Sequence, residues 1–207
     1  MLNIHARGFF TKGVAPLATA LNRAGVTPNA ITLFGTAGAV ASALICFTTG
    51  WFFTGAMLVW AFVMLDLVDG VMARSANLTT KFGGVLDSTC DRIADAAVFG
   101  ALAWYFAQHG VKWLLLGTLL CLVLGSLTSY IRSRAEAAGL TATVGIAERA
   151  ERLIIILVGT GLDGLGVPFI QAVAVWLLVA ASTITVGQRM ATVYRQSKAA
   201  EATQVVP

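Results

Sequence analysis

A chain of 207 residues that is 57% hydrophobic, only 12% charged and has a mean hydropathy of +0.81 lacks the polar surface that a water-soluble domain of this size must present. An ordinary soluble globular protein is therefore excluded, and an integral membrane protein is expected. The formal net charge of +4 does not indicate a nucleic-acid partner: no basic patch interleaved with aromatics accompanies it, and the cations gather at the ends of apolar segments.

In chain order, the first stretch, MLNIHARGFFTKGVAPLATALNRAGV, mixes apolar and basic positions without the long apolar run of a signal peptide. It predicts an amphipathic helix over residues 1–25 lying on the cytoplasmic membrane surface, a disordered arm being the alternative. A hydrocarbon core about 30 Å thick needs roughly 20 apolar residues per helix. Apolar segments at about 31–49, 51–72, 84–107, 111–131, 150–165 and 168–191 predict six transmembrane helices in one domain, an all-α membrane fold. The first opens with GVTPNAIT, where Thr27 or Asn29 can cap the helix and Pro28 is pre-set for its first turn. Residues 195–207 read as a flexible tail. Cys46, Cys90 and Cys121 have no metal-ligand spacing and fall within the spans, where they are expected to pack as small apolar residues. Of the 14 lysines and arginines, 13 fall on one side of this topology, with Lys112 alone on the other. Both termini are thus expected in the cytoplasm, in a cell-membrane protein.

Four of the ten acidic residues lie in one short stretch, DLVDGVMARSANLTTKFGGVLDSTCD. Asp66 and Asp69 are spaced to share one helix face, and Asp87 and Asp91 to share another. The polar connection SANLTTKFGG, with Gly83 and Gly84, lets the chain turn back so that the two pairs converge near the cytoplasmic interface. Carboxylates there must be neutralised by protonation or by bound cations. Hard oxygen ligands with positions left open for phosphate oxygens favour Mg2+ or Mn2+, and two carboxylates from each helix suit a pair of ions about 3.5 to 4 Å apart. The plainer alternative is ion pairing with Arg74 and Arg92. A divalent-cation channel or transporter is the alternative of another class, but it predicts acids spread through the membrane depth.

The full pattern, D-x2-D-G-x2-A-R-x8-G-x3-D-x3-D, fixes Asp66, Asp69, Gly70, Ala73, Arg74, Gly83, Asp87 and Asp91. On these residues the chain resembles the CDP-alcohol phosphotransferase family, which transfers a phosphatidyl or similar group from a CDP-linked lipid to an alcohol and releases CMP. The resemblance implies that Asp66, Asp69 and Asp87 bind one metal ion and Asp66, Asp87 and Asp91 a second. Asp91 would also be the catalytic base. It further implies CDP-diacylglycerol contacts at Asn29, Ala30, Ile31, Thr32, Gly70, Ala73, Arg74, Thr80 and Gly83, and a homodimer. Gly70, Ala73 and Gly83 would leave room for the nucleotide, ordinary helix packing being the competing reason for small residues there. Asp95 continues the spacing but lies outside the pattern.

The motif specifies the donor and leaves the acceptor open. SYIRSRAEAAGL, ERAERLIII and VLDSTCDRIADAAVFG resemble the actinobacterial phosphatidylinositol phosphate synthases, and the similarity extends from about Gly25 to Tyr194. It implies inositol phosphate as acceptor, held by Arg132, Arg152 and Arg189, in keeping with the preference of arginine for bidentate phosphate contacts. Arg132 stands where a lysine is expected, and Ala150 where a proline is expected at the start of a helix. Phosphatidylglycerophosphate synthase, using glycerol 3-phosphate, is the competing enzyme of the same family.

Overall fold

The computed structural model describes residues 16–75 and 80–204, the side chains of 66, 67, 75 and 202–204 excepted. Every regular element among the described residues is helical: α1 (16–23), α2 (Pro28–Ser42), which runs into a π-helical turn (Ala43–Phe47), α3 (Phe52–Val63), α4 (Leu65–Ser75), α5 (Lys81–Gln108), α6 (Lys112–Ala137), α7 (Arg149–Gly164) and α8 (Ile170–Gln204). The fold is thus all-α, as the composition predicts.

Four stretches among the described residues are long and apolar enough to cross a membrane: Pro28–Phe47, Phe52–Arg74, Lys112–Ala137 and Ile170–Glu201. They match four of the six expected spans. The other two correspond to α5, which carries Asp87, Asp91, Arg92 and Asp95 between its start and its middle, and α7, which has only 16 residues against the roughly 20 that a hydrocarbon core requires. Side chains such as Leu33, Phe34, Leu116, Leu119, Val123, Leu127, Val173, Leu177 and Ile184 are exposed. An outer surface this apolar needs lipid around it, so the protein belongs in a membrane.

Packing divides the chain into two units, Met1–Val98 and Phe99–Pro207. In the first, α2 packs against both α3 and α4. Small residues allow this: a Cβ at Gly38 would lie 2.3 Å from the Phe62 ring, and one at Gly35 would lie 3.1 Å from the Phe62 carbonyl oxygen, the close backbone approach that membrane helices use in place of a hydrophobic driving force. Residues 1–15 of the expected surface helix lie outside the described residues. Its described part, α1, is helical and packs on protein: Ala18 is fully buried in a cluster with Val68, Val71 and Met72, and Asn22 Nδ2 donates to the Met72 carbonyl at 3.3 Å.

In the second unit α8 packs along α6 and α7, again through small residues, with Gly117 against Val175 and Gly159 against Ala174. The non-helical connection between α6 and α7 is fastened to α8 by side chains. Thr185 Oγ1 accepts from the Ile146 and Ala147 amides at 3.2 and 3.1 Å. Gln196 accepts from the Thr141 amide at 2.9 Å and donates to the Thr141 carbonyl at 2.7 Å. Gly145, at φ +142°, lies so close to Thr185 that a Cβ there would meet its Cγ2 at 2.4 Å; both the backbone angle and the space demand glycine.

Candidate active site

The amino end of α2 organises the first unit's polar site. Of the two residues able to cap it, Thr27 does so, its side chain accepting from the Ala30 amide at 3.3 Å, with Pro28 in the first turn. This leaves Asn29 free for another contact. One turn on, Thr32 is buried and its Oγ1 donates to Oδ2 of Asp69, itself only 6% exposed on α4. Asp66 lies one turn before Asp69, its carboxylate outside the described side chains. The Arg74 guanidinium lies over Gly70, where a Cβ would come within 3.3 Å of Nη1. The small residue at 70 therefore makes room for the arginine of the same motif.

Thr80 caps α5, its Oγ1 accepting from the Gly83 amide at 2.9 Å. Because the helix starts there, Gly83 and Gly84 lie in its first turn and not in the connection, as the sequence suggests; residues 76–79 of that connection lie outside the described residues. A Cβ on Gly83 would sit 3.1 Å from Thr80 Oγ1 and 3.4 Å from Asn29 Oδ1. The start of α5 thus rests against the start of α2. One helix end thereby touches both carboxylate-bearing helices, α4 through Thr32 and Asp69, α5 through Asn29 and Gly83.

Farther along α5, Asp87 is exposed, Asp91 is half-buried and Asp95 is buried. Arg92 pairs with Asp95 at 3.3 Å, which gives that fifth aspartate a structural partner outside the motif. Among the described residues no three acid, histidine or cysteine side chains are gathered into a metal-binding group, the Asp66 carboxylate not being among them. The donor set still fits a hard divalent cation: it consists of carboxylate oxygens, Asp69 is already oriented by a hydroxyl, and Asp87 faces out with no hydrogen bond or ion pair to another described residue.

The second unit brings two of the predicted acceptor arginines to one residue. Arg152 is 2% exposed, and its Nη1 donates to Thr128 Oγ1 at 3.1 Å and to the Ala147 carbonyl at 3.3 Å. Arg189, 4% exposed, donates from Nε to the Val144 carbonyl at 2.9 Å and from Nη1 to the Thr128 carbonyl. Arg132 is exposed and pairs with Glu136 at 2.9 Å. It lies, with Arg152, Glu136 and Glu148, close enough to act on the charge of Arg189. No carboxylate among the described residues is within ion-pair range of Arg189. Helix α7 begins at Arg149, so alanine at 150 does not carry the helix start beyond the ERAER stretch. Sequence reasoning missed Thr128, Gly125 and the carbonyls of Val144 and Ala147. None carries a charge or a motif spacing, and carbonyl positions in a connection have no sequence signal.

Comparison with known proteins gives the family. Residues 25–187 match the family model for CDP-alcohol phosphatidyltransferase. The phosphatidylinositol phosphate synthase of Mycobacteroides abscessus is 48% identical over 192 residues, covering 92% of this chain and 87% of the relative. That of Streptomyces avermitilis is 45% identical over 210 residues, covering 98% and 86%. Among solved structures, the Mycobacterium tuberculosis phosphatidylinositol phosphate synthase with CDP-DAG bound superposes with a TM-score of 0.84 at 47% identity, covering 87% of this chain and 93% of the other. The same enzyme has been solved in complex with manganese and citrate, also at a TM-score of 0.84 and 47% identity, covering 87% and 88%. A pathway for ions is set aside by this kinship, and the chain belongs to the CDP-alcohol phosphatidyltransferase family of membrane enzymes.

Proposed function

We propose that the protein is a phosphatidylinositol phosphate synthase, transferring the phosphatidyl group of CDP-diacylglycerol to inositol 3-phosphate and releasing CMP. The observation that carries this reading is likeness along nearly the whole chain, 45 to 48% identity to synthases of that name, together with the unbroken eight-position motif.

An inositol hydroxyl oxygen attacks the phosphorus of the phosphatidyl group. The new P–O ester bond forms as the bond to the CMP oxygen breaks, and CMP leaves with that electron pair. Asp91, half-buried one turn beyond Asp87, takes the proton of the attacking hydroxyl. Asp66, Asp69 and Asp87 would hold one divalent ion and Asp66, Asp87 and Asp91 a second, Mg2+ or Mn2+. When bound, these ions supply charge neutralisation at the pyrophosphate. Arg74 contacts the pyrophosphate, while Asn29, Ala30, Ile31 and Thr32 at the start of α2, with Gly70, Ala73, Thr80 and Gly83, receive the rest of the CDP group. Arg132, Arg152 and Arg189 hold the phosphate of the acceptor. A buried guanidinium hydrogen-bonded to neutral carbonyls, as Arg189 is, keeps a charge with no ion-pair partner among the described residues, which suits an anionic ligand.

The protein works as a single-domain homodimer with six spans, an amphipathic surface helix before the first, and the site and both termini on the cytoplasmic side of the cell membrane. Purified protein given CDP-diacylglycerol, Mg2+ and labelled inositol 3-phosphate should produce labelled lipid. Turnover with glycerol 3-phosphate and none with inositol 3-phosphate would replace this reading with phosphatidylglycerophosphate synthase.

A further inference from the structure

We propose that Gly125 and Thr128 of α6 are positioning residues: together they form a seat that fixes Arg152, and with it Arg189, and so set the affinity for the phosphate of the acceptor. The inference rests on the reading above that these arginines hold that phosphate. It adds two residues that carry no charge and need not touch the ligand.

The hydrogen-bond directions make the seat specific. Thr128 is 1% exposed, and its hydroxyl donates its single proton to the Gly125 carbonyl at 2.8 Å. Its oxygen therefore offers lone pairs to an incoming donor, and Arg152 Nη1 fills one at 3.1 Å. The carbonyl of the same residue accepts from Arg189 Nη1. One threonine thus ties two guanidinium groups carried by different helices, 24 and 61 residues away. Gly125, one turn earlier on the same face, provides the space. A Cβ there would stand 3.2 Å from Arg152 Nε and 3.4 Å from its Cζ and Nη2, so any side chain pushes the guanidinium aside by a few tenths of an ångström. Arginine has long, rotamer-rich side-chain freedom to lose, and a buried one aimed at a phosphate binds well only if its planar fork is fixed beforehand. Thr128 and Gly125 supply that fixing from α6, while Ala147 and Val144 supply it from the connection between α6 and α7.

Three variants test the seat. Thr128→Val keeps the shape and the main-chain carbonyl and loses only the hydroxyl. It should raise KM for inositol 3-phosphate about tenfold, the loss of one charge-assisted bond. KM for CDP-diacylglycerol and kcat should stay within twofold, and Thr128→Ser should restore the wild-type value. Gly125→Ala, in a helix interior where alanine is the better former by about 1 kcal/mol, should keep or raise the thermal midpoint while raising the same KM. The binding arm follows stabilisation of the detergent-solubilised protein against heating by inositol 3-phosphate alone. A wild-type stabilisation that Thr128→Val retains in full would overturn the seat while leaving the acceptor reading intact, as would equal rises in both KM values. A wild type that neither uses nor is stabilised by inositol 3-phosphate would overturn the acceptor reading and the seat with it. Loss in Thr128→Val with recovery in Thr128→Ser establishes the seat.

Discussion

The two polar sites of this chain are built in opposite ways. In the first unit the described carboxylates of the motif range from Asp69, buried on α4, to Asp91, half-buried, and Asp87, exposed, on α5, and their arrangement comes from spacing along each helix. In the second, Arg152 and Arg189 are almost wholly buried and bond to neutral oxygens, the carbonyls of Thr128, Val144 and Ala147 and one hydroxyl, while Arg132 stays exposed against Glu136. Carboxylates left accessible can change ligands during a reaction. Guanidinium groups locked to the backbone offer a charge that does not move. The contrast suits a site where bonds are broken and a site where a substrate is only held.

The largest effect expected is at the carboxylates. Asp91→Asn keeps size and removes the proposed base, and should lower kcat by about a thousandfold or more while CDP-diacylglycerol still stabilises the protein against heating. Activity within tenfold of wild type would make Asp91 a holding residue like the arginines and remove the contrast. Next comes Arg152→Ala, which removes a proposed charge-assisted contact to the acceptor phosphate. It should raise KM for inositol 3-phosphate by about 10- to 100-fold with KM for CDP-diacylglycerol unchanged; equal rises in both would make Arg152 a general structural residue.

The same contrast decides what the sequence could disclose. Asp66, Asp69, Asp87 and Asp91 are legible because a helix converts spacing into a face, and Thr27 and Pro28 because capping chemistry is local. Spans were legible where apolar residues dominate, as in α2 and α8, and less so in α5 and α7, where the charges of the site interrupt the run or the helix is short. Gly83 and Gly84 read as a turn, yet Thr80 captures the chain into a helix before them. The arginines could be nominated by charge, but their partners could not. Val144 and Ala147 contribute only carbonyls, and Thr128 meets Arg189 across 61 residues, a distance over which no periodicity survives.

A smaller effect belongs to Thr32, which sequence likeness assigns to the nucleotide and which here also donates to Asp69. Thr32→Val should weaken Mn2+ binding, followed by electron paramagnetic resonance without substrate, by about 10-fold, and Thr32→Ser should recover it. Unchanged Mn2+ affinity in Thr32→Val would confine the residue to the nucleotide side.

The smallest effect is expected at the outer edge of the arginine site. Gln196 pairs with both backbone groups of Thr141, but it does so at an exposed position, where bonds to water replace it at little cost. Thr185 and Arg189 still hold the connection at Val144, Ile146 and Ala147 when it is removed. Gln196→Ala should therefore cost only about 1 kcal/mol of stability, seen as a fall of a few degrees in the thermal midpoint, and should leave KM for inositol 3-phosphate within about twofold. A rise as large as that of Arg152→Ala would mean that the connection closes over the acceptor and is held in place by its far end. The second site would then move during turnover after all, and rigidity would no longer distinguish it from the first.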